Sequence, residues 1–169
     1  MAPPAEQRLM LVVARDAFEA ALGRFHAEQD AVEAFAPATE VLWWACALDE
    51  RLAEMDPTYK QRRQADQDGR LLAGVRWARN RANHQLGLVT ASRPAGAYGG
   101  GAYGTFPYGG GSFIAWASAA SIPVGSNERG RDVYEARMQG HRVAETIDAP
   151  RRWFHGGAGS DLTLNFGPP

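Results

Sequence analysis

The chain alternates apolar and polar positions with a helical period over its first ninety residues. Met10, Val13, Ala14, Ala17, Phe18, Ala21 and Phe25 recur at spacings of three and four, which puts them on one stripe of a first helix. Arg8, Arg15, Glu19 and Arg24 fall off that stripe. A second helix is predicted from near Pro37, a residue tolerated in a first turn, with Val41, Trp44, Ala45, Leu48, Leu52 and Met55 as its apolar positions and Pro57 closing it. The polar piece TYKQRRQADQ, residues 58–67, reads as a loop with a short helical turn. Asp68 is the expected N-cap of a third helix over 69–88, whose stripe is Leu71, Val75, Ala78, Ala82 and Leu86. Three amphipathic helices on short connections predict a helical bundle.

The pattern then breaks. Residues 94–112 read PAGAYGGGAYGTFPYGGGS, with eight glycines in nineteen positions and Tyr98, Tyr103 and Tyr108 at intervals of five. Glycine at that density cannot hold a helix interior. The segment is expected to be a loop inserted in the bundle; a flap of base-stacking tyrosines or a packed β-ribbon are the other readings. FIAWASAASIPV after it looks extended. A further helix is predicted over 127–138 with Asn127 as N-cap and Gly140 beyond its end. Pro150 argues against one unbroken helix across 141–155, whereas a helix starting near Asp148 and carrying Trp153 and Phe154 fits. The expectation is one mainly α domain over 1–169: core helices in 5–90, the Gly/Tyr-rich insert, an extended segment with one or two helices in 113–155, and a frayed tail over 156–169.

Charge changes the picture locally rather than globally. The net charge is -1, which excludes a uniformly basic nucleic-acid binder. Residues 1–58 nevertheless carry eleven acids and four arginines, and residues 59–93 carry Lys60, seven arginines and only Asp66 and Asp68. That asymmetry predicts one face that favours anions. Arginine outnumbers lysine seventeen to one, and guanidinium binds phosphate through two donors at once; a high-GC genome is the competing account of that bias. The single cysteine, Cys46, rules out an intrachain disulfide framework and a cysteine-rich zinc site. No stretch approaches the roughly 20 apolar residues that span a bilayer. The opening MAPPAEQRLMLVVARD makes a poor signal peptide, so a cytoplasmic protein with no membrane partner is expected.

The third helix carries the candidate chemistry. Arg79 and His84 lie roughly 140° apart around its axis, and Arg76, Asn80 and Asn83 complete a polar arc away from the apolar stripe. Such an arc offers a permanent cation, a group that titrates near neutral pH and two amides. That set suits a phosphodiester. Arg76, Arg81 and Asn83 are the candidate phosphate contacts. Asp49 and Glu50 of the second helix are candidate partners for Arg79, or else part of a solvated acidic face. Trp43 and Trp44 diverge by about 100° and cannot share one core, so one of them is expected to face a second protomer. Asp56, Asp66 and Asp68 lack the remaining ligands of a calcium loop and read as caps. His26, His141 and His155 look isolated. No phosphate-binding glycine motif, serine elbow or Cys/His pair is present.

Arg79-Asn80-Arg81-Ala82-Asn83-His84, on a core helix after two others, resembles the Arg-x4-His signature of the HEPN superfamily. The resemblance covers residues 5–90 as architecture and six residues as motif. It implies a HEPN-like helical bundle that forms a homodimer, with the Arg and His of two protomers meeting across a composite cleft. It implies a metal-independent endoribonuclease of toxin or defence type acting on RNA without a cofactor, with a cognate antitoxin as a further partner. Arg79 then matches the motif arginine, Asn80 its polar follower and His84 the motif histidine. The tyrosine that follows the histidine in some HEPN toxins is absent, since Gln85, Leu86 and Gly87 come next. The insert and the extended tail are not part of a minimal HEPN bundle. The alternative from another class is a non-catalytic helical module that binds a protein or nucleotide through the same arc. A nucleic-acid-binding regulator using the arginines of 60–81 is a third, without a helix-turn-helix signature to support it.

Overall fold

A computed structural model describes residues 5–85, 90–94 and 112–157. The described chain is mainly helical, as its periodicity predicts. Helix α1 spans Ala5–Ala27 and α2 spans Phe35–Met55. They are joined by a turn in which Asp30 Oδ1 accepts the N–H groups of Val32 (2.8 Å) and Glu33 (3.3 Å). Pro37 sits in the first turn of α2, where no intrahelical donor is lost. The polar stretch after α2 forms a short helix, α3 (Tyr59–Ala65), and α4 follows at once over Gln67–Gln85.

Helix α1 does not bury the whole of its expected stripe. Leu11, Phe18, Ala21, Leu22 and Phe25 are buried, while Met10 and Val13 are exposed. The run Leu9-Met10-Leu11-Val12-Val13 is apolar throughout, so spacing alone admits several stripes there. The true one passes through Leu11 and continues at i+7, i+11 and i+14. The expected stripes of α2 and α4 are buried at Val41, Ala45, Leu48, Leu52, Leu71, Val75, Ala78 and Ala82; Leu86 lies outside the described residues.

The N-cap of α4 is Asp66, not Asp68. Its extended backbone (φ -88, ψ 143) lets Oδ1 accept the N–H groups of Asp68 and Gly69, both at 2.8 Å. Asp68 falls in the first turn instead and pairs with Arg152 at 2.8 Å.

A two-stranded antiparallel ribbon, β1 (Thr90–Pro94) and β2 (Ser112–Trp116), sets Thr90 opposite Trp116 and Pro94 opposite Ser112. Of the extended segment predicted over 113–124, only the part up to Trp116 is strand, in β2; Ala119–Ser121 form a 3₁₀ turn instead, and the partner strand β1 is the element the sequence did not announce. The insert between the strands, and the predicted tail beyond 157, lie outside the described residues. Thr90 is buried and its hydroxyl donates to the Ala31 carbonyl at 2.8 Å, tying the ribbon to the α1–α2 turn.

Helix α5 spans Arg131–Arg137, four residues shorter at its start than expected. Asn127 accepts the Arg129 N–H at 3.0 Å and so organises a turn, and Gly130 (φ 88) leads into the helix. Gly130 lies so close to α4 that a Cβ there would stand 2.2 Å from the Ala73 carbonyl oxygen. Gly140 (φ 76) follows the helix as predicted. Helix α6 runs over Val143–Arg152, straight through Pro150, and passes into a π-turn over Trp153–Gly157. The helix starts five residues before the expected Asp148 and holds Pro150 within it, and the Trp153 N–H still reaches both the Ala149 and Pro150 carbonyls, so the ladder carries past the proline.

The core lies where α2 and α4 pack between α1 on one side and α5, α6 and the ribbon on the other. Its largest fully buried side chains are Trp77, Trp116, Tyr59, Tyr134 and Phe18. Trp77 and Tyr134 stack with centroids 4.5 Å apart, and Tyr134 donates to the Ala117 carbonyl at 2.7 Å. Among the described residues no helix is long and apolar enough to cross a membrane.

Candidate functional site

Helix α4 presents its polar residues unequally. Asn83 and His84 are exposed, Arg76, Arg79 and Asn80 are half-buried, and Arg81 is 3% exposed. The first five form the arc expected from the helical wheel. Arg81 does not belong to it. Its guanidinium donates to Glu128 Oε1 at 2.7 Å and to the Asn127 carbonyl, and it lies over the Trp77 ring 5.1 Å from the centroid. Trp77 Nε1 donates to the same Glu128 at 3.1 Å. The indole bond first, with the Gly125 N–H, Arg81 and Arg131 after it, holds the Glu128 carboxyl below the usual carboxylate range. Arg81 therefore fastens the 125–131 turn to α4 rather than facing solvent.

The arc is anchored from beneath by Asp49 of α2. Asp49 is 2% exposed and accepts three donors: Tyr59 Oη at 2.9 Å, Arg63 Nη1 at 2.5 Å and Arg76 Nη2 at 2.7 Å. Tyr59 in turn accepts the Trp153 indole N–H at 2.9 Å. Burial, and then the negative Asp49, push the Tyr59 hydroxyl far above its ordinary range, so it stays a donor. Elements α2, α3, α4 and the C-terminal π-turn thus meet at one buried carboxylate. A buried charge is tolerable only with such compensation.

Glu50, the next residue, is half-exposed and accepts from both Arg76 and Arg79, the latter at 3.5 Å. Burial alone would lower the Arg76 pKa, and the bonds to Asp49 and Glu50 outweigh it and hold the guanidinium charged. The expectation that Asp49 and Glu50 partner Arg79 resolves unequally: Glu50 does, and Asp49 serves Arg63 and Arg76. The Nε of Arg79 is buried without a hydrogen-bond partner among the described residues. Cys46 lies beneath the same guanidinium. Burial pushes its thiol up to about 11 despite the opposing pull of Arg79 and Arg76. Three guanidiniums (Arg63, Arg76, Arg79) against two carboxylates (Asp49, Glu50) leave one positive charge at this end of the arc.

His84 stands in the last turn of α4, exposed and with no side-chain partner among the described residues. Two of the other three histidines are less isolated than the sequence suggests. His26 Nε2 is 3.6 Å from Asp148, and His155 Nε2 is 2.9 Å from Glu19, which also pairs with Arg151 at 3.0 Å. Both join α1 to the C-terminal helix. The candidate metal acids serve structure: Asp56 takes Thr58 and Arg62, and Asp66 caps α4. No group of three His, Cys, Asp or Glu side chains is arranged to hold a metal ion among the described residues.

Neither the network of Asp49, Tyr59, Arg63 and Trp153 nor the separate one of Glu128, Arg81 and Trp77 was picked out by sequence, yet two signals exist. Asp49 falls four residues after Ala45 and three before Leu52, on the apolar stripe of α2. Arg81 falls four after Trp77 and three after Ala78, on that of α4. A charge on an apolar stripe requires a buried partner. No protein-family model matches the chain, and no curated protein or solved structure matches it either.

Proposed function

We propose that the protein is a HEPN-like, metal-independent endoribonuclease of toxin or defence type, with Arg79, Asn80 and His84 at its site. The observation that carries this reading is the state of His84. It is exposed, unpaired among the described residues, and carried on the same helix as a half-buried Arg79. His26 and His155, which brace the fold, each face an acid of another element, and His84 faces none among the described residues. In the reaction, His84 moves the proton between the ribose 2′-hydroxyl or the leaving 5′-oxygen and the solvent. Arg79 holds the scissile phosphate and offsets the charge that develops as the 2′-oxygen attacks phosphorus. Asn80 orients the phosphate or His84, and Arg76 and Asn83 extend the contact along the strand. The bond to the 5′-oxygen breaks as the 2′-oxygen bond forms, which leaves a 2′,3′-cyclic phosphate and a 5′-hydroxyl. Arg79 enters this chemistry by exchanging Glu50 for the phosphate. A homodimer would add a second Arg79/His84 pair to a composite cleft, and an antitoxin would cover it.

Wild type and His84→Ala, incubated with total RNA in EDTA and expressed for growth, test the reading. Cleavage and growth arrest by wild type alone are expected. Cleavage that persists in His84→Ala, or products with 5′-phosphate ends, would overturn it. Light scattering at micromolar concentration should give twice the monomer mass.

A second reading is favoured by the Arg79–Glu50 ion pair, which completes α4 without any ligand. In that reading the arc is a binding face for a protein or nucleotide. Absence of cleavage and toxicity in both proteins, with retained binding to the arc, would select it.

A further inference from the structure

We propose that the cavity between the end of α1, strand β2 and the start of α6 binds a small zwitterion with an apolar body, of the class of the apolar α-amino acids. The inference stands apart from the ribonuclease reading, since none of the lining residues belongs to the arc of α4. The cavity holds about 420 Å³, and its lining includes Phe25, His26 and Glu28 from the end of α1, Phe113 and Ile114 of β2, and Arg142. Pockets that enclose small ligands begin at roughly 300 Å³. Backbone bonds hold the walls together. The Trp116 N–H donates to the His141 carbonyl at 3.1 Å and the Gly140 N–H donates to the Trp116 carbonyl at 2.9 Å, which seats the start of α6 on β2.

The ligand class follows from which lining charges are already engaged. His26 is turned to Asp148 at 3.6 Å and meets Phe25 edge-on, with ring centroids 5.6 Å apart. The Arg142 guanidinium lies over the Phe113 ring, 4.7 Å from its centroid, a contact that positions the cation without neutralising it. Its one carboxylate contact among the described residues is Glu145 at 3.8 Å, and both side chains of that pair are more than half exposed. Such a pair holds little. Arg142 is also the N-cap of α6 and its side chain does not cap the helix, so the positive end of the helix dipole adds to the same wall. Glu28 is half-buried, and its carboxylate takes no hydrogen bond or ion pair among the described residues. One cation and one anion thus line a single cavity, and they form no ion pair with each other. A ligand of single charge would cover one of them and leave it unanswered, which costs free energy. A carboxylate on Arg142 and an ammonium on Glu28 answer both, while Phe25, Phe113 and Ile114 take the apolar body.

Isothermal titration calorimetry of the full chain tests this, with phenylalanine as the probe. Phenylpropionate, phenethylamine and glycine remove in turn its ammonium, its carboxylate and its apolar body. Phenylalanine should bind saturably, and each of the three analogues should bind at least about tenfold more weakly, as expected for losing a bond to a charged group or the burial of a phenyl ring. Two variants assign the ends. Arg142→Gln should weaken phenylalanine and phenylpropionate by at least about tenfold and leave phenethylamine within about twofold. Glu28→Gln should weaken phenylalanine and phenethylamine and leave phenylpropionate unchanged. Neither side chain is buried, so both variants should fold, and thermal unfolding checks that they do. Absence of saturable heat at millimolar phenylalanine overturns the inference. So does phenylpropionate or glycine binding as tightly as phenylalanine, or a pair of variants that weaken every analogue equally. His84→Ala should bind phenylalanine as wild type does. Binding in a protein that cuts no RNA would therefore keep this inference and remove the ribonuclease reading, and His84-dependent cleavage without phenylalanine binding would do the reverse.

Discussion

Replacing Asp49 with alanine should unfold the protein several degrees lower, and the structure says by how much. The side chain is 2% exposed and accepts Tyr59, Arg63 and Arg76. Removing one partner of a buried ion pair costs about 3–5 kcal/mol because the other charge is stranded. Two features pull the value toward the low end. Arg63 and Arg76 are 20% and 30% exposed, so both guanidiniums can turn partly to water. Arg76 also keeps Glu50. The expected loss is therefore about 3 kcal/mol, or about 6–12 °C in Tm for a domain of this size. Asp49→Asn keeps the volume and an acceptor for Tyr59 while losing the charge, so about half the loss is expected, given about 1.5–3 kcal/mol for hydrogen bonds to charged groups. Urea unfolding followed by tryptophan fluorescence measures both. A double-mutant cycle with Arg63→Ala should give a coupling of about 1–2 kcal/mol, since residues in one network are not additive. An Asp49→Ala loss under about 1 kcal/mol, or a coupling within experimental error of zero, would refute the claim that this carboxylate joins the elements.

Other consequences follow from the same contacts. Gly130→Ala forces a Cβ to within 2.2 Å of the Ala73 carbonyl at φ 88 and should cost about 3 kcal/mol, whereas Gly140→Ala, with open space at φ 76, should cost about 1 kcal/mol; equal losses in urea titrations would contradict the close approach of α5 to α4. The Cys46 thiol, buried and pushed up to about 11, should not react with Ellman's reagent at pH 8 until denaturant is added, and stoichiometric labelling of the native protein would contradict its burial. Glu128 is held below its ordinary pKa by Trp77 first, and Asp56 by Thr58 and Arg62 against its burial. Both folded values are depressed, so their contribution is present above the unfolded values near about 4 and is lost as pH falls through the folded ones. Tm should hold from neutral pH to about 5 and fall below about 4, and Glu128→Gln should flatten that fall. Glu50→Gln removes the internal carboxylate from Arg76 and Arg79; calorimetry should show tighter pyrophosphate binding than wild type, with stability changed by under about 1 kcal/mol because the pair is exposed.

The helices were legible because their periodicity is strong where tertiary contacts are dense. The stripes of α2 and α4 could be read directly, whereas five consecutive apolar residues at the start of α1 left its phase open. Boundaries failed for local reasons. Asp66 and Asp68 are equally good capping residues two positions apart, and only the backbone angles at Asp66 decide between them. Asn127 caps a turn that precedes α5, because Gly130 must approach Ala73 before the helix can begin. Strand β1, Thr-Ala-Ser-Arg-Pro, has no apolar alternation to announce it; it is a strand because β2 pairs with it across the insert. At the candidate site the arc of α4 was legible from the wheel, whereas Arg81, four residues after the buried Trp77, turns inward to Glu128, a partner distant in sequence.

The clustering of arginine has a different meaning in three dimensions than along the chain. Read linearly, the acidic first third and the arginine-rich segment after it suggest one face that draws anions. In the fold the two segments lie against each other. Arg63 and Arg76 answer Asp49, Arg76 and Arg79 answer Glu50, and Arg62 answers Asp56. The asymmetry thus builds the α2–α4 seam, and little of it projects as field. What distinguishes Arg79 is not its charge but the quality of its pairing: among the described residues its one carboxylate partner is a half-exposed glutamate at 3.5 Å. Asp49 is fixed by three donors and is costly to displace, whereas Glu50 is close to solvent and cheap to displace. On the reading proposed above, an anion arriving at the arc would exchange with Glu50 while Asp49 keeps the helices together. On the proposed reading the seam would stay closed while a single guanidinium changes partner, the division of labour a phosphate-binding site on a core helix requires.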